Sequence, residues 1–124
     1  MATGSTTHKG RSAEGRAAAH LAGLGYEIVE RNARTAGGEL DIVAREAGDL
    51  VFIEVRSRGD DSTGGAEETI GPAKRRRVAR AAAAYLVERN PLRDTCRFDV
   101  VAITGDRIEV YRDAFRLGLL ARYG

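Results

Sequence analysis

The stretch GELDIVAREAGDLVFIEVRSR, residues 38–58, carries the strongest fold signal in the chain because it predicts two adjoining strands joined by a tight turn. Residues 39–45 and 50–57 are rich in valine, isoleucine and other core-type side chains, which favours strands. The glycine and polar residues between these segments are typical of a hairpin turn. The sequence therefore predicts an antiparallel β-hairpin in which alternate residues of each strand share one face of a sheet.

Antiparallel pairing across this hairpin brings two acids together. If the turn is centred on residues 47–48, Asp41 lies opposite Glu54 and Glu39 lies opposite Arg56. Two carboxylates about 5 Å apart repel by about 3 kcal/mol at an effective dielectric of about 20. A nearby cation such as Arg56, a shared proton or a bound divalent metal would compensate for this repulsion, and only the metal would use both acids as ligands.

An oxygen-only site built from Asp41 and Glu54 suits Mg²⁺ or Mn²⁺, which keep several waters and bridge to phosphate oxygens. Such a metal activates water and stabilises charge during phosphodiester hydrolysis. Arg56 shares a face with Glu54 and would supply a fixed positive charge to the phosphate. Structural ion pairing on a half-exposed sheet face is the alternative, and spacing alone leaves both interpretations open.

The remaining chain predicts an α/β sandwich around a mixed sheet of about five strands, flanked by helices, in the order α-β-β-β-α-β-β-α. Helical spacing of apolar residues and helix-end signals predict the helices, and short alternating segments predict the outer strands. The predicted helices are 12–25, 72–89 and a short one from Ala114, the predicted outer strands are 26–30, 97–104 and 107–111, and residues 32–38 are predicted to form a turn.

The 124 residues and 13.3 kDa correspond to one domain spanning 1–124. We expect residues 1–10 to be a flexible tail and the polar, glycine-rich residues 59–71 to be a mobile loop. The single cysteine, Cys96, excludes an internal disulfide framework and a multi-cysteine zinc cluster. The start of the chain lacks the apolar core of a secretory signal, and the longest apolar run is too short to span a bilayer. These features predict a cytoplasmic protein with no membrane partner.

The net charge of +2 argues only weakly for an anionic partner, but the distribution of charge is more informative. Five cations lie within residues 74–80, which fall on the second predicted helix. Phosphate binding and a merely solvated helix face both account for this run, and the sequence leaves them open. Asp99 shares a face with apolar neighbours and is interpreted as a structural acid in preference to a metal ligand, and Tyr85 is interpreted as a core residue.

Several separated motifs resemble, in the same order, those of the YraN-type family of small bacterial proteins. The motifs are GRSAE (10–14), ERNAR (30–34), GELDIVA (38–44), LVFIEVRSR (50–58), AAAAYL (81–86), RFDVVAI (97–103) and DAF (113–115). The acid in GELD, the E-x-R of IEVRSR and the predicted element order also resemble the PD-(D/E)xK superfamily, which has the restriction-endonuclease-like fold. The resemblance covers nearly the whole chain.

This resemblance implies a metal-dependent nuclease with Mg²⁺ or Mn²⁺ as its cofactor. It implies that Asp41 and Glu54 are metal ligands, with the Val55 carbonyl as a third, and that Glu14 joins them from the first helix. Arg56 stands where the superfamily pattern has lysine. Arginine keeps the charge and can clamp a phosphate with two hydrogen bonds, but it cannot act as a base.

Two function hypotheses follow. The first is a DNA endonuclease, with branched or recombining DNA as a candidate substrate, and the second is a non-catalytic nucleic-acid-binding module that keeps the fold. In both hypotheses the nucleic-acid contacts are assigned to cationic residues of the strand ends and the second helix: Arg34, Arg58, Lys74, Arg75, Arg76 and Arg77. A protein-interaction domain without a nucleic-acid partner is a third alternative, which retention on heparin or DNA resin would test.

Overall fold

The computed structural model describes residues 5–58, 71–89 and 95–115, which form two helices and five strands. In chain order these are α1 (Ser5–Gly23), β1 (Glu27–Thr35), β2 (Gly38–Glu46), β3 (Asp49–Arg58), α2 (Pro72–Arg89), β4 (Thr95–Thr104) and β5 (Arg107–Phe115). The α/β class and the order α-β-β-β-α-β-β confirm the predicted fold class. Within the described ranges, neither helix is apolar enough over a sufficient length to cross a bilayer.

The five strands form one mixed sheet in the order β1-β2-β3-β4-β5. Neighbouring strands are antiparallel, except that β3 and β4 are parallel. Parallel neighbours cannot be joined by a tight turn, and α2, which lies between them in sequence, belongs to the crossover connection that they need. The β3–β4 pairing runs from Asp49 beside Thr95 to Arg58 beside Thr104, so β3 is held by β4 along its full length.

The face of the sheet that packs against α2 has an aromatic and aliphatic core. Val78, Ala82 and Tyr85 of α2 pack against Phe52 and Phe98 of the sheet. The Phe52 ring lies 5.7 Å from that of Tyr85 and 5.4 Å from that of Phe98, centroid to centroid. Burial of Tyr85 confirms its interpretation as a core residue.

The opposite face of the sheet packs against α1. Ala17 and Leu21 of the helix lie against Ile53 of β3 and Val101 of β4. Because β3 carries Phe52 toward α2 and Ile53 toward α1, its side chains are buried on both faces, which explains its continuous apolar run. The sheet is therefore the middle layer of a three-layer sandwich.

The turn between β1 and β2 rests directly on the backbone of α2. A Cβ atom added to Gly37 would stand 2.3 Å from the carbonyl oxygen of Arg80, so only glycine fits this contact. The backbone N–H of Ala36 donates to Glu88 at 2.7 Å. These contacts fix the position of α2 over β1 and β2, which in turn fixes where the first turn of α2 lies.

Two predicted boundaries on the amino-terminal half are corrected. β1 continues to Thr35, although residues 32–38 were expected to form a turn. Asn32 has φ of 53°, and this left-handed residue inside the strand explains the turn-like composition. α1 begins at Ser5, within the expected tail 1–10, because helix propagation from the alanine-rich segment adds residues at little cost.

The predicted carboxyl-terminal helix does not begin at Ala114, which belongs to β5. Asp113, with φ of 55°, sits where the β4–β5 register shifts, so the strand continues past the irregularity instead of ending. Residues 116–124 lie outside the described residues. The predicted mobile loop also lies outside them, apart from Gly71.

Candidate metal site

The pairing between β2 and β3 ends just before the two predicted acids, Asp41 and Glu54. Their ladder runs from Glu46 beside Asp49 to Ile42 beside Ile53, which confirms the register set by a turn at residues 47–48. Beyond Ile42, β2 stays paired with β1, and β3 stays paired with β4. A gap between the two central strands therefore opens at the next two positions.

Asp41 places its carboxylate in this gap. Its Oδ2 accepts a hydrogen bond of 2.9 Å from the backbone N–H of Val55, which belongs to the opposite side of the opening. On its other side, the β1–β2 pairs Arg31–Ile42 and Ala33–Leu40 leave Asp41 opposite the left-handed Asn32. The side chain thus bridges two strands whose backbones no longer pair.

Burial raises the pKa of Asp41, and the Val55 N–H and the positive charge of Lys74 oppose this rise. The charge of Glu39 adds to the rise, whereas that of Arg56 opposes it. Desolvation is the larger effect because a carboxylate in this position loses water on most sides.

Glu54 is one of two buried acids among the described residues and faces α2. Its Oε1 lies 3.1 Å from the Nζ of Lys74, in the first turn of α2. Burial and the negative charge of Asp41 raise the pKa of Glu54 to about 7, although Lys74 and Arg56 act in the opposite direction. Asp41 and Glu54 are therefore close enough to interact electrostatically, as the hairpin register predicted.

Glu14 approaches the pair from α1. Burial and the charge of Asp41 raise the pKa of Glu14, while a hydrogen bond from Asn32 and the charge of Arg31 oppose the rise. Glu14 therefore lies on the Asp41 side of the gap. Within the described residues, however, no three side chains of aspartate, glutamate, histidine or cysteine converge closely enough to hold a metal ion.

Arg56 and Glu39 do not form the pair expected from a continued hairpin. The β2–β3 ladder ends before them, and Glu39 pairs with Arg34 in the β1–β2 ladder. The charge of Arg56 instead opposes the pKa rise of both Asp41 and Glu54. Arg56 thus belongs to the electrostatic surroundings of the two acids, whereas Arg34 lies exposed near the end of β1.

The basic run of α2 divides into two parts. Lys74 turns toward Glu54, and Arg75 is half-buried, whereas Arg76 and Arg77 are exposed. Of the other cations assigned to nucleic-acid contacts, Arg58 ends β3, but its side chain lies outside the described part of the chain. Lys74 therefore belongs to the site itself, whereas the exposed Arg76 and Arg77 lie beside it in the helix.

The contact between Lys74 and Glu54 is the functional feature that sequence reasoning missed. A signal for it exists: Lys74 lies four, seven and eleven residues before Val78, Ala81 and Tyr85, all buried on α2. A lysine at the amino end of a buried stripe is positioned over the sheet. Asn32, which contacts Glu14, was hidden by its assignment to a turn.

A second group of acids lies toward α1. Asp99 is fully buried and accepts hydrogen bonds from the Tyr26 hydroxyl at 2.7 Å, the Asp113 backbone N–H at 2.8 Å and two nitrogens of Arg97 at 2.9 and 3.0 Å. These contacts confirm Asp99 as a structural acid. Arg97 also pairs with Glu46 at 2.6 Å and lowers the pKa of Glu46.

A family model described as "Uncharacterised protein family UPF0102" matches residues 13–103. A UPF0102 protein of Acidovorax is 51% identical over 114 residues, covering 89% of this chain and 86% of the relative. Similar proteins occur in Cupriavidus metallidurans, 50% identical over 121 residues and covering 97% and 90%, and in Dechloromonas aromatica, 47% identical over 114 residues and covering 92% and 93%. These matches confirm the family-level resemblance.

Proposed function

The chain belongs to the protein family UPF0102, and we propose that it is a metal-dependent endonuclease that hydrolyses phosphodiester bonds in DNA. The observation that carries this proposal is the meeting of Asp41 and Glu54 where β2 and β3 diverge. Both acids are desolvated, and the charge of Asp41 raises the pKa of Glu54. Carboxylates with perturbed pKa values are typical of sites that bind a ligand of opposite charge. The PD-(D/E)xK placement is part of the same proposal.

The donor chemistry of this pair fits Mg²⁺ or Mn²⁺. Two carboxylates from adjoining strands offer hard oxygen ligands, and Mg²⁺ binds through one or two carboxylates while waters and substrate phosphates complete its shell. We assign Asp41 and Glu54 as the ligands, with the Val55 carbonyl as a third and Glu14 as an outer partner on the Asp41 side. When bound, the metal would supply an activated water and stabilise charge on the phosphate.

The remaining side chains have roles in positioning and charge. Arg56 offers a permanent positive charge and a planar fork for a phosphate oxygen pair, but it does not remove a proton from water. Asn32 holds Glu14 by a hydrogen bond. Proton transfer in this site is therefore assigned to water and carboxylates and not to the residue that replaces lysine in the motif.

Exposed cations beside the acids would hold the nucleic-acid backbone. Arg76 and Arg77 on α2 and Arg34 on β1 are exposed, and Arg58 follows Glu54 along β3. Contacts of this kind bind phosphate without reading sequence, so they suit a substrate chosen by structure, such as branched DNA. The proposed partner is therefore nucleic acid, with DNA as the expected substrate.

Cleavage of linear, nicked, forked and four-way DNA in Mn²⁺ and in Mg²⁺ tests the proposal. We expect cleavage of at least one architecture, with chelator abolishing it. Asp41→Ala and Glu54→Ala should each lower the rate by about a thousandfold or more, because each removes a metal ligand. Glu27→Ala, which removes an exposed acid on β1, serves as the matched control and should cleave like the wild type.

A second candidate function is a nucleic-acid-binding module without catalysis. The observation that favours it is the Lys74–Glu54 contact, which neutralises one of the two acids without a metal. This alternative predicts DNA binding that weakens steeply with salt and no cleavage on any architecture. Arg56→Lys separates a weakened enzyme from a module, because it should raise a low cleavage rate only if the site is active.

A further inference from the structure

Lys74 contacts the Glu54 carboxylate, which is also a proposed ligand of the metal. Its Nζ lies 3.1 Å from Oε1 of Glu54, and the two side chains are 32% and 6% exposed respectively. The ammonium group therefore reaches the buried carboxylate from the more exposed side. The charge of Lys74 acts on Asp41 as well as on Glu54, so a single cation serves both proposed metal ligands.

The location of Lys74 in its helix is unfavourable without an anion beside it. Lys74 is the third residue of α2, and the first turn of this helix contains no acid. The amino end of a helix carries a partial positive charge, which repels a lysine and attracts anions. Glu54 compensates for this repulsion, and a lysine displaced from Glu54 would be stabilised by another anion at the same place.

The other cations near the acids are less suited to exchange. Arg56 lies on β3 two residues after Glu54, and its place is fixed by the β3–β4 ladder. Lys74 has four rotatable carbon bonds and a compact charge, so it can leave one oxygen and reach another without any movement of the backbone. The neighbouring residues Arg76 and Arg77 of α2 are exposed, so their charges are accessible to a phosphate backbone that Lys74 would contact.

From these contacts we propose that Lys74 is an exchangeable cation. It occupies Glu54 in the metal-free protein, yields this carboxylate to the incoming divalent ion, and moves to a phosphate oxygen of the nucleic acid. This inference rests on the proposed function, since it assumes a metal at Asp41 and Glu54. It adds that metal and nucleic acid bind cooperatively. The metal releases Lys74 from Glu54 for contact with a phosphate, and the phosphate keeps Lys74 from competing with the metal for Glu54.

Cooperativity of this kind is reciprocal. If DNA raises the affinity for metal by some factor, metal raises the affinity for DNA by the same factor. Without DNA, Lys74 competes with the ion for Glu54 and weakens metal binding. With DNA, the phosphate accepts the lysine and the competition ends. The protein would therefore bind its metal ion chiefly when the nucleic acid is already bound.

The test measures Mn²⁺ affinity by calorimetry, with and without a short phosphorothioate DNA duplex, which keeps the backbone charge and resists cleavage. Wild type is compared with Lys74→Met and with Lys74→Gln, which retains a hydrogen-bond donor to Glu54. Arg80→Met removes an exposed cation farther along α2 and is the matched control. Circular dichroism and thermal unfolding establish that each variant is folded.

We expect Lys74→Met to bind Mn²⁺ about tenfold more tightly than wild type without DNA, a factor that corresponds to about 1.4 kcal/mol. DNA should raise the Mn²⁺ affinity of the wild type by a larger factor than that of Lys74→Met or Lys74→Gln, because phosphates that complete the metal shell act in all three proteins and release of the lysine acts only in the wild type. Arg80→Met should keep the wild-type affinity for Mn²⁺ within about twofold, because its charge lies away from the two acids.

Two results would overturn the inference and are distinguishable from each other. If wild type binds Mn²⁺ and Lys74→Met binds it no more tightly, or responds to DNA as strongly as the wild type does, the exchange is refuted while the metal site stands. If neither protein binds Mn²⁺, the metal site and the proposed nuclease are refuted together. Binding by Lys74→Met alone would support the exchange, since it would mean that the lysine blocks the site.

Discussion

The two faces of the central sheet treat buried acids in opposite ways. Toward α1, Asp99 accepts four hydrogen bonds, from Tyr26, Arg97 and the Asp113 backbone. Toward α2, the ion-pair partner identified for Glu54 is one lysine, and the neighbouring Asp41 accepts from one backbone N–H. Asp99 and Glu54 are both buried in the same sheet, so burial alone does not distinguish the two groups.

The difference appears in the direction of the pKa shifts. Hydrogen bonds from Arg97 lower the pKa of Glu46, which belongs to the network around Asp99. Burial raises the pKa of Asp41 and Glu54, because their donors do not replace the lost water. We infer that the Asp99 network holds the fold together, whereas the Asp41–Glu54 pair is prepared for a positively charged ligand.

The largest effect should come from breaking the Asp99 network. Asp99→Ala leaves the Tyr26 hydroxyl, the Asp113 N–H and part of the Arg97 guanidinium without their acceptor. Removing one partner of a buried charge network costs about 3–5 kcal/mol of unfolding free energy. Urea denaturation would measure it. Glu27→Ala, an exposed control, should stay within about 0.5 kcal/mol of wild type, and a similarly small loss in Asp99→Ala would refute the structural role.

Removing the charge of Glu54 should raise the free energy of unfolding at high pH, in contrast to Asp99→Ala, which should lower it. Because its folded pKa is raised from 4.5 to about 7, Glu54 contributes most to stability below pH 4.5, and this contribution is lost as the pH rises through about 7. In chelator at about pH 8, Glu54→Gln should therefore be more stable than wild type by up to about 3 kcal/mol. The two proteins should differ little near pH 4.5.

Glu46→Gln is the sharpest control for this pH dependence. The pKa of Glu46 is lowered, so its contribution is present above its unfolded value and is lost as the pH falls. Glu46→Gln should thus destabilise the protein at about pH 8, the opposite sign to Glu54→Gln. Urea denaturation of both variants at the two pH values checks this, and equal signs would remove the distinction between the two faces.

A smaller effect should follow from Tyr26→Phe. The Tyr26 hydroxyl donates to Asp99 at 2.7 Å and accepts from Arg112 at 3.1 Å, and burial raises its pKa to about 12. Loss of one buried hydroxyl costs about 1–2 kcal/mol, because Asp99 keeps its other donors. Thermal unfolding would detect this loss, and an unchanged melting temperature would mean that the hydroxyl is not part of the network.

The smallest expected effect is stabilisation by Mn²⁺, which should depend on Glu54 and not on Glu46. At an Mn²⁺ concentration ten times the dissociation constant, binding to the native state should stabilise the wild type by about 1.4 kcal/mol. Glu54→Gln should lose most of this gain, and Glu46→Gln should keep it. Thermal unfolding with and without Mn²⁺ measures both. A gain that survives in Glu54→Gln would place the metal elsewhere.

Prediction from the sequence succeeded where the signal is local. The α2 bounds, the hairpin register and the burial of Tyr85 follow from helix-end residues, a two-residue turn and helical spacing. It failed at Asn32 and at Ala114, where a left-handed residue lets a strand continue through a turn-like segment. Such irregularities depend on the neighbouring strand, which local composition does not describe.

The hairpin register was sufficient to bring Asp41 and Glu54 to the same end of the hairpin, since a turn at residues 47–48 places both acids equally far from it along their strands. Only the tertiary structure decided how each acid is satisfied. The partner of Glu54 lies 20 residues away on α2, and those of Asp99 lie up to 73 residues away. The charge state of a carboxylate depends on the water it loses and the donors it gains, and both are set by elements that meet only when the sandwich closes.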